Sequence, residues 1–295
     1  MIKFTIFGDL HYDEVSDGEK RVNELVAHIK AVKPDFVVSL GDLCRPIEEN
    51  KEIVLKKFKE TGIPMYHTIG NHETDECYLE MALKFLSLQS PYYSFSYGDI
   101  KFIVLNACYF SKGGQENAYY RRIYREDNSL YPIIPKEEKE WLERELCDGK
   151  KYVVFSHHSF VNNHRDRGVY NREEIRNLLR GKDVLLCMNG HDHGDEFAVV
   201  DDIPYYTVNS ATYAWCGSQI ASSGKLKEKY GYLHGMLLYK QALYVDVEID
   251  DNEIRIQGMN GDYLSVTPED VELYDYRWDG VSIKAQTSSR VIKRA

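Results

Sequence analysis

The segment Ile2-Lys3-Phe4-Thr5-Ile6-Phe7-Gly8-Asp9-Leu10-His11 opens the chain and decides how the rest is read. Its first six residues alternate in the manner of a strand, and the run stops at a glycine followed by Asp9 and His11 in a polar loop. The arrangement returns twice. Residues 36–40 form a short apolar strand ending at Gly41-Asp42, and residues 63–69 form another ending at Gly70-Asn71-His72. Between them, 19–32 carries apolar side chains at 22, 25, 26, 29 and 32, a helical stripe closed by Pro34, and 47–60 reads as a second helix. Strand, polar loop and helix in succession predict α/β architecture with functional loops at the carboxyl ends of strands.

The second half changes character. Residues 92–97 and 101–105, split by Gly98-Asp99, read as a hairpin. Residues 107–134 are Tyr- and Arg-rich with weak periodicity and read as an inserted loop. Helices are expected at 136–147, opened by Pro135, and from Arg172, with Asn171 as N-cap. Strands are expected at 151–155, 183–189, 195–201, 204–209, 231–240, 242–249 and 252–258, and the tail 262–295 alternates only weakly. No tandem repeat or linker divides the chain, which favours one domain.

Composition narrows the function classes. Of 295 residues, 43% are hydrophobic and 28% charged, a globular mixture that excludes a disordered or fibrous chain. The longest apolar run, 184–188, is far short of a membrane span, and no signal-peptide h-region follows Met1, so a cytoplasmic protein with no membrane partner is expected. The net charge of −10 argues against a general nucleic-acid groove. An anionic substrate would then need something other than side chains to attract it, and a bound metal supplies that. The cysteines at 44, 77, 108, 147, 187 and 216 form no CxxC pair and read as reduced thiols.

Five strand ends carry metal-type ligands: Asp9 and His11, Asp42, Asn71 and His72, His157 and His158, His191 and His193. In Asp9-x-His11 and His191-x-His193 alternate residues of an extended stretch face the same side. Oxygen and nitrogen donors without thiolate suit Mn, Fe, Zn or Co better than a closed structural zinc site. Seven ligands exceed what one ion takes and fit two ions sharing a bridging carboxylate.

The blocks Gly8-Asp9-Leu10-His11, Gly41-Asp42, Gly70-Asn71-His72-Glu73, His157-His158 and Gly190-His191-Asp192-His193 resemble, in order, those of the calcineurin-like metallophosphoesterases. The resemblance extends over about residues 1–260, with 261–295 a C-terminal extension packed on the same domain. It implies a two-sheet α/β/β/α sandwich. It also implies that Asp9, His11 and His193 hold one metal, that Asn71, His157 and His191 hold a second, and that Asp42 bridges them. The two ions would be divalent or trivalent Mn, Fe or Zn. His72 matches the family's non-ligand histidine facing the scissile phosphate, and His158 then turns the other way along the strand end. The implied reaction is attack by a metal-bridging hydroxide on the phosphorus of a small phosphorylated metabolite or nucleotide, whether diester, pyrophosphate or monoester. A nuclease of the same chemistry and a non-catalytic scaffold are the alternatives; oligomeric state is left open.

One departure stands out. The family's second block commonly continues to an Asn or Asp that orients the histidine, whereas here it reads Gly41-Asp42-Leu43-Cys44-Arg45. Arginine accepts no hydrogen bond, so that contact is lost or supplied from elsewhere, and His72 is expected to titrate lower than in relatives with an acidic partner. Arg45 is a candidate for the substrate phosphate, as are His158, His164 and Arg165. Arg121, Arg122 and Arg125, interleaved with tyrosines, read as a solvated loop, with a phosphate or nucleoside grip as the alternative.

Overall fold

The alternation in residues 2–7 leaves both faces of that strand something to bury, and the fold supplies a layer for each. The computed structural model describes residues 1–127, 129–164, 167–217 and 224–294. Strands β1 (Ile2–Phe7), β2 (Phe36–Ser39) and β3 (Met65–His67) run parallel, and β10 (Val245–Ile249), β11 (Glu253–Gln257) and β12 (Arg290–Lys293) extend the sheet antiparallel in the order β12-β11-β10-β1-β2-β3. A second sheet has the order β8-β9-β7-β6-β5-β4, built from β4 (Tyr93–Tyr97), β5 (Ile100–Val104), β6 (Lys151–Ser156), β7 (Val184–Asn189), β8 (Glu196–Val200) and β9 (Ile203–Thr207). Its centre, β5-β6-β7-β9, is parallel.

The sheets face each other across Phe4, Ile6, Phe36 and Val38 on one side and Phe102, Val153, Phe155 and Met188 on the other. Phe4 stacks on Phe36 at 4.9 Å and meets Phe102 edge-on at 5.8 Å, so the layers interlock through rings. The outer face of the first sheet is covered by α1 (Gly18–Val32), whose Val22, Leu25, Val26 and Ile29 pack with Phe7 and Val37. Helix α1 ends as expected: Lys33 takes a left-handed conformation, its N–H reaches Ile29 O, and Pro34 prevents continuation. The second sheet is covered by Leu142 of the helix Lys136–Glu145 and by Ile175 and Leu179 of the helix Arg172–Leu179. The result is an α/β/β/α sandwich. Among the described residues no helix is long and apolar enough to cross a membrane.

Several local expectations are corrected. The strand expected over 63–69 is only Met65–His67, because the chain peels away beyond Thr68 to deliver Asn71 and His72. The span 231–240 splits into a 3₁₀ turn, Gly231–Leu233, and a short strand, Met236–Leu238. The insert 107–134 carries a hairpin of Tyr109–Lys112 and Gln115–Ala118 and a helical turn at Ile123–Glu126. Asn171 stands at the helix start but does not cap it, since its amide instead bonds both the N–H and the C=O of Ile134.

Candidate metal centre

The five polar strand ends meet at one edge of the sandwich, where parallel strands all deliver their carboxyl ends. Asp9 N–H donates to Gly41 O at 3.0 Å and His11 N–H to Asp42 O at 2.9 Å, which clips the first two loops together. Asp9, His11, Asp42, His191 and His193 all have positive φ, between 44° and 67°. Asp and His tolerate this region better than most residues, but each such residue costs about 1–3 kcal/mol and persists only where the surroundings enforce it. Two glycines allow the close approach. A Cβ on Gly70 would lie 2.2 Å from Asp42 Oδ1, and one on Gly190 would lie 2.6 Å from Asp9 Oδ2.

Within this edge the donor atoms converge. His193 Nε2 lies 3.1 Å from His11 Nε2 and 3.4 Å from Asp9 Oδ1. His157 Nε2 lies 3.2 Å from Asp42 Oδ2, 3.1 Å from Asn71 Oδ1 and 3.1 Å from His191 Nδ1. Asp9, His11 and His193 form one group whose ligand atoms lie within 4.8 Å of one another, and Asp9, Asp42 and His157 form another. The second ring nitrogens are spoken for: His157 Nδ1 meets Leu40 O at 2.7 Å and His193 Nδ1 meets Tyr213 O at 3.0 Å, which aims both Nε2 atoms inward. The hydroxyls of Ser210 and Thr212 donate to Asp9 O at 2.9 and 3.0 Å and hold that loop from below.

The electrostatics of the cluster call for a cation. Burial works against a charged His157, yet the Asp42 carboxylate outweighs it and pushes the imidazole up to about 9, so a proton stands where a metal would. Burial and neighbouring His72 push His11 down to about 4, and burial with His158 and His157 holds His191 well below its usual value. Buried carboxylates facing imidazole lone pairs, without thiolate, are a donor set suited to a divalent ion.

His72 joins the edge, with Nε2 4.0 Å from Asp42 Oδ2. Its orienting partners correct the expectation drawn from Arg45. His72 Nδ1 lies 2.9 Å from Asp75 Oδ2 and 3.4 Å from Glu14 Oε1, so acidic partners are present after all. Burial opposes the charged imidazole, but Asp42, Asp75 and Glu14 together raise His72 well above its ordinary value. Asp75 is itself held by Arg122 Nε at 3.0 Å and by the Tyr124 hydroxyl. Glu14 also sits 3.4 Å from His11 Nδ1 and accepts from the Tyr213 hydroxyl at 3.2 Å.

The substrate candidates fare differently. Arg45 stands half-exposed at the rim, its guanidinium engaged by Asp13 at 3.4 Å and Glu76 at 3.5 Å. His158 does not turn away: it is buried, its ring lies 4.1 Å from that of His191, and it groups with His157 and His191. Its Nδ1 is buried without a hydrogen-bond partner among the described residues. His164 faces Asp279 Oδ1 at 2.7 Å, away from the cluster's own contacts. Arg165 lies outside the described residues. Glu73, quoted in a motif without a role, is fully buried and its carboxylate accepts the N–H groups of Gly70, Asp42 and Leu43 at 2.7, 2.9 and 2.6 Å. Glu14 and Asp75 were missed entirely. The only signal for them was their place three residues after His11 and His72, which brings side chains together only once the chain turns there.

Comparison with curated protein sequences finds no match. Among solved structures, the chain is similar to a dimetal phosphatase from Danio rerio, with TM-score 0.64 and 15% identity over 89% of this chain and 98% of that one. It is also similar to GAP50, described as the anchor in the inner membrane complex of Plasmodium, with TM-score 0.53 and 16% identity over 86% of this chain and 83% of that one. At these identities the likeness concerns the fold. A model of the calcineurin-like phosphoesterases matches residues 2–195, a span that contains every strand end that converges on the cluster. The chain therefore belongs to the calcineurin-like phosphoesterase family, metal-dependent hydrolases of phosphoric esters.

Proposed function

We propose that the protein hydrolyses a small phosphorylated metabolite or nucleotide at a dinuclear centre. Asp9, His11 and His193 would hold one ion, Asn71, His157 and His191 the other, and Asp42 would serve both. The observation that carries the reading is Asp42, which lies 3.7 Å from His11 Nε2 and 3.2 Å from His157 Nε2 and so touches a member of each set. When bound, such a pair of ions lowers the pKa of a water to make a nucleophile and offsets the charge of the phosphoryl oxygens. Nitrogen and oxygen donors support Mn, Fe or Zn as the ions.

The chain's own groups then do the rest. His72, held by Asp75 and Glu14 on Nδ1, presents Nε2 beside Asp42 and can give a proton to the leaving oxygen. Burial opposes the charged imidazole, but Asp42, Asp75 and Glu14 raise its affinity for that proton. Glu73 keeps the Asp42 and Gly70 loops at their spacing. The cleft over these residues is lined by Asp13, Glu14 and Asp75 as well as Arg45 and Arg122, a mixed wall rather than the basic groove a long polyanion needs, which disfavours the nuclease alternative.

The test is hydrolysis of p-nitrophenyl phosphate and bis-p-nitrophenyl phosphate with added Mn, then with chelator, with Asp42→Asn as control. Turnover lost both with chelator and in the variant supports the proposal. No turnover, with no metal retained per chain, overturns it in favour of a scaffold.

A further inference from the structure

We infer that Arg125, on the inserted segment, binds the substrate's phosphoryl group together with His72, and that this makes phosphomonoesters the preferred substrate class; the inference rests on the function proposed above. Arg125 Nη2 lies 3.5 Å from His72 Nε2, so the guanidinium stands against the imidazole edge. Arg125 is exposed, and among the described residues it forms no ion pair with a carboxylate. Its neighbours differ. Arg45 is taken by Asp13 and Glu76, and Arg122 by Asp75. Arg125, beside His72 next to this cleft, is thus the arginine with no carboxylate at ion-pair distance among the described residues and is left for an incoming anion.

Its position is built rather than accidental. The turn Ile123–Glu126 that carries it is tied to the 72–78 loop by Arg121 N–H to Cys77 O, by the Tyr124 hydroxyl to Asp75, and by the Tyr78–Tyr120 bridge. Arg121 and Arg122 both hold positive φ, 43° and 59°, a conformation that arginine adopts only when its surroundings impose it. Asp75 therefore anchors His72 and the Arg125 turn at once. The Arg125 guanidinium also lies 5.8 Å from the centre of the Tyr124 ring, which limits its swing.

The substrate class follows from counting oxygens. A phosphodiester has two non-bridging oxygens, which the ions held by the cluster would draw on. A monoester has a third, with a second negative charge, and a guanidinium beside His72 is a donor suited to it.

The test compares the metal-loaded protein with Arg125→Ala and Arg125→Lys, and with Arg121→Ala as control, since Arg121 lies over the Tyr78 ring outside this cleft. Three readouts are used: kcat and KM for p-nitrophenyl phosphate, kcat/KM for bis-p-nitrophenyl phosphate, and affinity for inorganic phosphate by calorimetry. Arg125→Ala should weaken phosphate binding and raise KM for the monoester by about 10- to 100-fold, the loss of one charge-assisted hydrogen bond, with the diester changed by less than about threefold. Arg125→Lys should recover part of the phosphate affinity. Active protein with unchanged phosphate affinity in Arg125→Ala, or with equal losses on both esters, overturns the inference alone. Phosphate bound through Arg125 by protein that retains no metal and cleaves neither ester upholds the anion site and sinks the proposed activity. Neither binding nor turnover overturns both.

Discussion

Asp75→Asn is the sharpest perturbation of the centre, because one buried carboxylate holds three groups. Asparagine keeps the shape and an oxygen for the Tyr124 hydroxyl, so what is removed is the charge and the acceptor oxygen facing His72 Nδ1 at 2.9 Å and Arg122 Nε at 3.0 Å. The His72 contact is well buried and its loss should cost about 1.5–3 kcal/mol. Arg122 is 44% exposed, so its share is at most about 1 kcal/mol. For the metal-free protein the sign is set by His72, whose folded value is raised above 6.5. The stabilisation it brings is fully present below pH 6.5 and is lost as pH rises through the raised value. Urea unfolding should therefore show a deficit of about 2–3 kcal/mol at about pH 6 that shrinks under alkaline conditions. In the metal-loaded protein, an imidazole freed to rotate should lower kcat by about 10- to 100-fold, part of what a positioned acid contributes, with metal content unchanged. The alkaline limb of the pH–rate profile should move to lower pH. Wild-type kcat with an unmoved alkaline limb would refute the orienting role.

Three further outcomes are expected. Glu73→Gln turns an amide N–H₂ toward one of three backbone N–H groups and should cost about 1–3 kcal/mol, read by denaturant unfolding, with less metal retained by elemental analysis. Loading must displace the proton that Asp42 holds on His157, whose value is pushed up to about 9. Apparent Mn affinity should thus rise about tenfold per pH unit from about pH 6 and flatten near 9, and a flat profile by calorimetry would contradict this. Arg45→Asn should leave the pH–rate profile with p-nitrophenyl phosphate unmoved, because Asp75 and Glu14, rather than the residue at 45, face His72.

What could be read in advance was what is local. The polar residues after β1, β2 and β3 announce themselves because a strand of alternating or apolar residues must end before a polar loop can begin. The ligand blocks are short and contiguous, so His157 or Asn71 needs no knowledge of the fold to be picked out. Local logic failed where a side chain had two possible partners. Asn171 has the position and chemistry of an N-cap, but the backbone of Ile134, 37 residues away, competes successfully for its amide. His158 was expected to face away from His157, as neighbours on a strand do. Past the end of β6 the chain no longer keeps that alternation, and both rings enter the cluster.

By itself, then, the sequence determined the α/β class, the strand ends and the donor chemistry, since these depend on periodicities and residue types within a few positions. Tertiary structure alone decided that His11 and His193, 182 residues apart, point nitrogens at each other across 3.1 Å. It also decided that Asp75 and Glu14, rather than the residue at position 45, face His72 Nδ1. Likewise it carried the Tyr- and Arg-rich insert, read as a solvated loop, back to the site, bringing Arg125 to His72. The reason is physical: an ion pair or a cleft wall is set by left-handed turns at Asp42, Arg121 and Arg122 and by the packing that enforces them. No pattern of hydrophobic spacing encodes such turns.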